Sequence, residues 1–393
     1  MTRIINRYIA KEITVPFFLG LSIFTFILLM DKMLKLIELV VSKGVKLSEM
    51  MSIIVFILPS FFAVTIPMAF LLALLLAFGR LSGDEELTAI KSSGLSLFQM
   101  MPPVIALSVV TFIITLLLMV YVLPWGNYSF RIMMYDIVKR KADTGIVPGR
   151  LVDSFEDMIL YVKEKDQASG RYKGVLISEE KSGKKSRTIT AREGEIFSKP
   201  DNLSVTLRLY DGAIHREGEK ERQYKVINFS TYDITLSMNF KGSEAGGISK
   251  GDRELSLSEI RDRIEVLKER GEAYNYLLVE FHKKFSIPFA CIVFSFIGVP
   301  LGIQGKRSGK AYGFTISLLL ITIYYIFLLT GEAIGDKGKI PPFLSMWAPN
   351  IFFLILGFYL LIKANAEKEV RVLSIFTNSF AYTTRTLKKL FRR

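Results

Sequence analysis

Charge disappears from the chain in six long stretches and returns sharply between them. Ile13 to Met30, Met50 to Phe78, Met100 to Trp125, Phe285 to Gly305, Ala311 to Gly331 and Ile340 to Ile362 contain no Asp, Glu, Lys or Arg. Each is near or above the roughly 20 residues that a helix needs to cross a hydrocarbon core about 30 Å thick, so the pattern predicts six membrane spans. Residues 126 to 284, between the third and fourth stretches, follow other rhythms. From Leu151 to Leu236 apolar and polar residues alternate, as in SVTLRLY, where Val205, Leu207 and Leu209 face one way and Thr206 and Arg208 the other. The runs DMILYV, YKGVLIS, RTITA, GEIF, QYKVINF and TYDITL repeat the pattern, divided by turn-forming residues at Asp201-Asn202, Asp211-Gly212 and Glu217 to Glu219. Seven or more short strands at this spacing imply an antiparallel sandwich or jelly roll. After Gly246-Gly247 the period becomes helical: Ser256 and Glu259 read as a capping box, and Ile260, Ile264 and Leu267 share one face.

The expected fold is therefore an α-helical polytopic membrane protein with six transmembrane helices and an inserted all-β, jelly-roll-like domain. Its parts are an N-terminal membrane half (1–125, with a short helix at about 82–94), the β domain (126–255), a connecting helix (256–284), a C-terminal membrane half (285–362) and a basic tail (363–393). An ordinary core and a lipid-holding face both fit the apolar side of the β domain.

Half of the 393 residues are hydrophobic, yet the formal net charge is +14. In a soluble protein that excess would suggest nucleic acid, but its placement follows membrane topology instead. Sixteen Lys and Arg flank the spans on the side of the two termini, against six in the opposite short loops. By the positive-inside rule both termini are expected in the cytoplasm and the β domain outside it. The tail residues Lys388, Lys389, Arg392 and Arg393, interleaved with Leu387, Leu390 and Phe391, suit either a helix lying on an anionic leaflet or a solvated basic end. The single cysteine, Cys291, excludes an internal disulfide and a cysteine-ligated metal, and His215 and His282 are too few for a histidine-rich centre.

Chemical motifs are absent. GKRSGKA at Gly305 to Ala311 resembles a phosphate loop, but Gln304 stands where its first glycine is required and Ala311 where Ser or Thr is required. No enzyme activity, metal or cofactor is expected, and any nucleotide hydrolysis belongs to another polypeptide. Gly298 and Gly302 form a GxxxG pair that permits close helix packing, and Pro59, Pro67, Pro102, Pro103, Pro300 and Pro349 permit kinks.

The loop between the second and third spans reads GRLSGDEELTAIKSSG, Gly79 to Gly94. Ser82 or Gly83 can cap a short helix here, Asp84, Glu85 and Glu86 suit its N-terminal dipole, Leu87 and Ile90 give it an apolar side, and Gly94 stops it. Such a helix fits either a groove on a separate motor ATPase or the membrane surface as a plain linker.

With this loop, EFHKKFSIPFACIVFSFIGVPLGI (Glu280 to Ile303) and GEAIGDKGKIPPFLSMWAPN (Gly331 to Asn350), the chain resembles the LptF/LptG permeases of the lipopolysaccharide-export ABC transporter, and details of spans one and two are more like the LptF branch. The resemblance implies an inner-membrane permease that extracts lipopolysaccharide. It also implies a sister permease (LptG-like) in a heterodimer, two cytoplasmic ATPase subunits (LptB-like), a single-span periplasmic partner (LptC-like) and a periplasmic bridge protein (LptA-like). Lys32 and Lys35 match family basic residues that contact substrate phosphates. Glu86 matches the acidic residue of the family's coupling loop, with Asp84, Glu85, Leu87 and Ile90 completing the ATPase-coupling helix. The competing readings are a mechanotransmitting ABC membrane subunit, or a membrane scaffold, that moves no lipid itself.

Overall fold

A computed structural model describes residues 2–41, 46–155, 158–166, 170–179, 187–199, 204–217, 224–236, 255–304 and 309–366. The basic tail from 367 onward, the core of the basic link at 305–308 and the Gly246-Gly247 break lie outside the described residues. The helices are α1 (Thr2–Val41), α2 (Leu47–Gly83), α3 (Glu86–Ser92), α4 (Leu97–Leu117), α5 (Leu123–Gly145), α6 (Leu257–Glu269), α7 (Asn275–Gln304), α8 (Gly309–Asp336) and α9 (Pro342–Asn365). A π-helical turn, Leu118–Val122, joins α4 to α5. Strands β1 (Leu151–Phe155), β2 (Met158–Lys165), β3 (Tyr172–Glu179), β4 (Arg187–Lys199), β5 (Ser204–Glu217) and β6 (Tyr224–Leu236) fall between α5 and α6. Among the described residues, six helices, one for each charge-free stretch, are long and apolar enough to cross a membrane. The chain is a multi-pass helical membrane protein with an inserted antiparallel β domain.

It divides into two compact units. The first comprises residues 1–29, 59–123 and 256–393, and its centre is α7. The glycine pair predicted to permit close packing does so. A Cβ added at Gly298 would stand 2.8 Å from the Leu74 Cβ, and one at Gly302 2.8 Å from the Phe78 Cβ, so α7 meets α2 with almost no side chain between them. Gly357 brings α9 equally near to α7: a Cβ there would stand 2.7 Å from Ile297. Phe294, Ile297, Leu71, Leu75, Tyr324 and Phe353 fill the space around these contacts. One polar group is threaded through this apolar packing. The Asn350 amide donates to the Ser286 carbonyl at 2.9 Å and accepts from the Tyr324 hydroxyl at 3.1 Å, while the Ser286 hydroxyl donates to the Met346 carbonyl at 2.6 Å. A bilayer offers no water to replace such partners, so each polar side chain must find one within the bundle.

The second unit comprises residues 30–58 and 124–255. Its strands pair in chain order, β1 to β6, as one antiparallel sheet. Six strands are described where the alternation suggested seven or more, because several short runs join into long strands. RTITA and GEIF both lie in β4, and YKVINF and TYDITL in β6. Asp211-Gly212, expected to be a turn, lies inside β5. The ladder continues on either side of it, with Tyr210 opposite Glu193 and Gly212 opposite Ala191. Asp211 takes φ +48°, and a Cβ at Gly212 would stand 2.3 Å from the Thr190 carbonyl oxygen, so a glycine is required there. The irregularity also exchanges the two faces, as a bulge does. Buried residues fall at Val205, Leu207 and Leu209 before it and at Ile214 after it, and across the ladder at Ile189 and Ala191, then Gly194. The inner face forms an apolar cluster that also contains Ile53 of α2 and Tyr135 of α5. Arg140 of α5 lies 2.6 Å from Glu49 of α2.

Candidate functional site

The loop singled out by sequence is a compact structure fastened to its neighbours. Helix α2 runs through to Gly83, and the chain then turns at Glu85, whose φ of +58° is left-handed. The cap differs from the sequence expectation. Neither Ser82 nor Gly83 caps α3; Glu85 is its N-cap, and its side chain makes no capping bond. The Ser82 hydroxyl is instead buried and donates to the Ile303 carbonyl of α7 at 2.8 Å. The Glu85 carboxylate accepts from the Thr88 hydroxyl at 2.7 Å. A non-glycine residue at such a φ costs on the order of 1 kcal/mol or more, which surrounding contacts must offset. At the other end the expected stop is present: Gly94 takes φ +85° and its N–H bonds to the Lys91 carbonyl. Ser96 and Gln99 then cap α4 reciprocally, and the Leu97 N–H donates to the Asn365 side chain of α9.

Amphipathic spacing orients α3. Leu87 is buried, in a cluster with Phe78, Leu81, Leu97 and Met100, and Ile90 packs against the same cluster half-buried. Asp84, Glu85, Thr88 and Ala89 are exposed. Glu86 is held inside the chain. Its carboxylate accepts a 2.6 Å hydrogen bond from the Tyr8 hydroxyl of α1, and Tyr8 in turn accepts from Arg80 of α2 at 2.8 Å. Arg80 Nε lies 2.6 Å from Glu12 of α1, close as an ion pair but not aligned as a hydrogen bond. The remaining nitrogens of Arg80 lie 3.6 Å from Asp84 and 3.7 Å from Glu86. One guanidinium therefore joins three helices, through the fork of donors that arginine alone provides.

Sequence reasoning named Asp84, Glu85, Glu86, Leu87 and Ile90 but missed Tyr8, Glu12 and Arg80 as members of the same site. Tyr8 and Glu12 are four residues apart and so on one face of α1, the only local sign of their shared role. The other two predicted site residues lie elsewhere. Lys32 is half-buried on the later part of α1, and Lys35 continues that helix with its side chain outside the described part. Both lie in a different compact unit from Arg80. Among the described residues no cluster of three or more His, Cys, Asp or Glu side chains could hold a metal ion.

Among the described residues, six membrane-length helices, an inserted antiparallel β-sheet and a charged three-helix junction at a loop between spans make up a multi-pass helical membrane protein with a β domain. The profile of a family described as "Lipopolysaccharide export system permease LptF/LptG" matches residues 7–363, and the chain belongs to that family. It is 21% identical over 360 residues to the lipopolysaccharide export system permease protein LptF of Escherichia coli strain K12, which covers 91% of this chain and 94% of that one. The LptF of Shigella flexneri is similar to the same extent.

Proposed function

We propose that the chain is one permease subunit of an ABC transporter that takes lipopolysaccharide out of the bacterial inner membrane and passes it to a periplasmic β-domain bridge. In this reading it pairs with an LptG-like sister permease and is driven by two LptB-like ATPase subunits. An LptC-like single-span protein and an LptA-like bridge continue the path from its sheet. The excess of basic residues beside the termini supports a cytoplasmic α3 and a periplasmic β domain. Lys32 and Lys35 lie three residues apart, a spacing that puts both on one face of α1, where they attract the anionic head group as lipid enters. At about 0.8 kcal/mol per methylene, exposing several acyl chains to water would cost tens of kcal/mol, so the lipid needs an unbroken apolar route.

The observation that carries this reading is the fastening of α3. Its apolar side is buried against the membrane helices, its opposite side is exposed, and Glu86 is linked through Tyr8 and Arg80 to α1 and α2. A push on the exposed side by an ATPase then reaches two spans together. Glu86→Gln keeps an acceptor for Tyr8 but removes the charge facing Arg80, whereas Glu86→Lys opposes Arg80 directly. Both variants should insert. Lipopolysaccharide-stimulated ATP turnover of the assembled transporter should fall about tenfold for Lys and less for Gln, the scale of one disrupted charge contact. Wild-type turnover and transport in Glu86→Lys would remove the basis for assigning α3 to energy coupling.

A further inference from the structure

Within the EFHKKFSIPF segment of α7, three polar residues leave the helix toward three different neighbours. Lys283 Nζ lies 2.6 Å from Glu332 of α8 and 3.3 Å from Glu280 of α7 itself. Ser286 bonds to the Met346 carbonyl of α9. Lys284, only 2% exposed, extends toward the third span and donates to the Met119 carbonyl at 3.5 Å. A lysine buried at membrane depth is costly without an acceptor, so its choice of acceptor is informative.

Met119 belongs to the π-helical turn Leu118–Val122. The N–H of Leu123 passes over Met119 and bonds to the Leu118 carbonyl, five residues back. The same spacing sets position 124 against the Met119 carbonyl, and position 124 is a proline with no N–H to give. In a regular α-turn the Pro124 ring would instead press on the Val120 carbonyl, four residues back. The wider turn relieves that clash and passes the missing donor on to Met119.

We propose that Lys284 is a positioning residue that supplies the donor Pro124 withholds and so holds the third span in its π-helical register. The location gives this register a consequence. The turn ends where the chain leaves one compact unit at Leu123 and enters the other at Pro124. A one-residue change of register rotates the residues that follow in the same helix by about 100° around its axis. A single long hydrogen bond from α7 thus supports the π-helical register of this turn, whichever cargo the protein moves.

Hydrogen exchange of the full chain in lipid nanodiscs, read by mass spectrometry on peptides covering residues 118–125, tests the assignment. Lys284→Met should speed exchange there about tenfold, the scale of one lost hydrogen bond to a charged group. Lys284→Arg and Lys284→Gln keep a donor and should stay within about threefold of wild type. Pro124→Ala restores a backbone N–H at position 124, and adding it to Lys284→Met should return exchange to within about threefold of wild type, since the two changes act on one carbonyl. A lysine acting on lipid phosphates or through Glu280 gives no such rescue. If Lys284→Met does not insert in the membrane, the double variant with Pro124→Ala must do so. Unchanged exchange in Lys284→Met, absence of rescue, or a double variant that also fails to insert would overturn the proposal.

Discussion

Helices α7 and α1 are both long and apolar, yet 83% of the most apolar part of α7 is buried within the protein and only 22% of that of α1. Hydropathy alone cannot separate them, because a bilayer and a protein core are equally apolar. What separates them is the residue set. Helix α7 carries Gly298, Gly302, Ser286 and Lys284, small or polar groups that each meet a neighbouring helix inside the protein. Helix α1 turns Val15, Phe18, Phe26 and Met30 outward, each more than half exposed. Among its polar ties to other helices are those at Tyr8 and Glu12, and at Thr25, 3.3 Å from Thr65. The first helix is a fixed hub and the second a peripheral element held at few points. Substitutions in α7 should therefore affect stability, and those at the ends and outer face of α1 should affect assembly and transport.

The largest effect is expected where α7 meets α2. Gly302→Leu forces side-chain atoms into a space where even a Cβ stands 2.8 Å from Phe78 and 3.3 Å from the Leu74 and Leu75 carbonyls. A loss of about 3 kcal/mol, or failure to assemble, should appear in unfolding by denaturing detergent. Next in size is Asn350→Leu, which removes the amide from its bonds to Ser286 and Tyr324. At roughly 0.6 kcal/mol per bond in a membrane, a loss of about 1–2 kcal/mol is expected in the same assay. A near-zero result for both would mean that α7 is no hub.

At the α3 junction the expected order of effects reverses. The Arg80 side chain is about one-third exposed, so Arg80→Met should change stability by less than about 1 kcal/mol. Its effect should appear as loss of lipopolysaccharide-stimulated ATP turnover in the assembled transporter, and a stability loss as large as that of Gly302→Leu would contradict a coupling role. The smallest effect is expected on the outer face of α1. Phe18→Ala and Phe26→Ala should leave the isolated chain within about 0.5 kcal/mol of wild type. Weakened copurification of the sister permease would show that this face is covered by protein, and unchanged copurification would assign it to lipid.

These contrasts also mark how far the sequence could be read. The six spans were legible because membrane burial demands long charge-free runs, a signal that needs no tertiary context. The Gly298/Gly302 pair and the Ser256/Glu259 capping box were legible because the two residues of each motif lie about one helical turn apart in the sequence. The Arg80 group was not, since Tyr8 is 72 residues from Arg80 and 78 from Glu86, and no local rule links such distances. The π-turn escaped for a related reason. Pro124 signals that a donor is missing, but which carbonyl is left without one, and that Lys284 reaches it, depends on how α7 packs. The turn expected at Asp211-Gly212 was misread because its composition is that of a turn while its backbone on both sides stays paired to β4 and β6. Neighbouring strands supply the hydrogen bonds that keep such a pair within a ladder, and they are invisible to a local window.

Release of lipopolysaccharide from proteoliposomes tests the account's central claim most directly. The chain would be reconstituted with the proposed LptG-like, LptB-like and LptC-like partners, and transfer of labelled lipopolysaccharide to the proposed LptA-like bridge would be followed with and without ATP. Transfer is expected to require ATP and to fall at least about tenfold in both Arg80→Met and Glu86→Lys, with the complexes still assembled. ATP-dependent transfer at the wild-type rate in both variants, or ATP turnover with no lipid transferred by the wild-type complex, would contradict it.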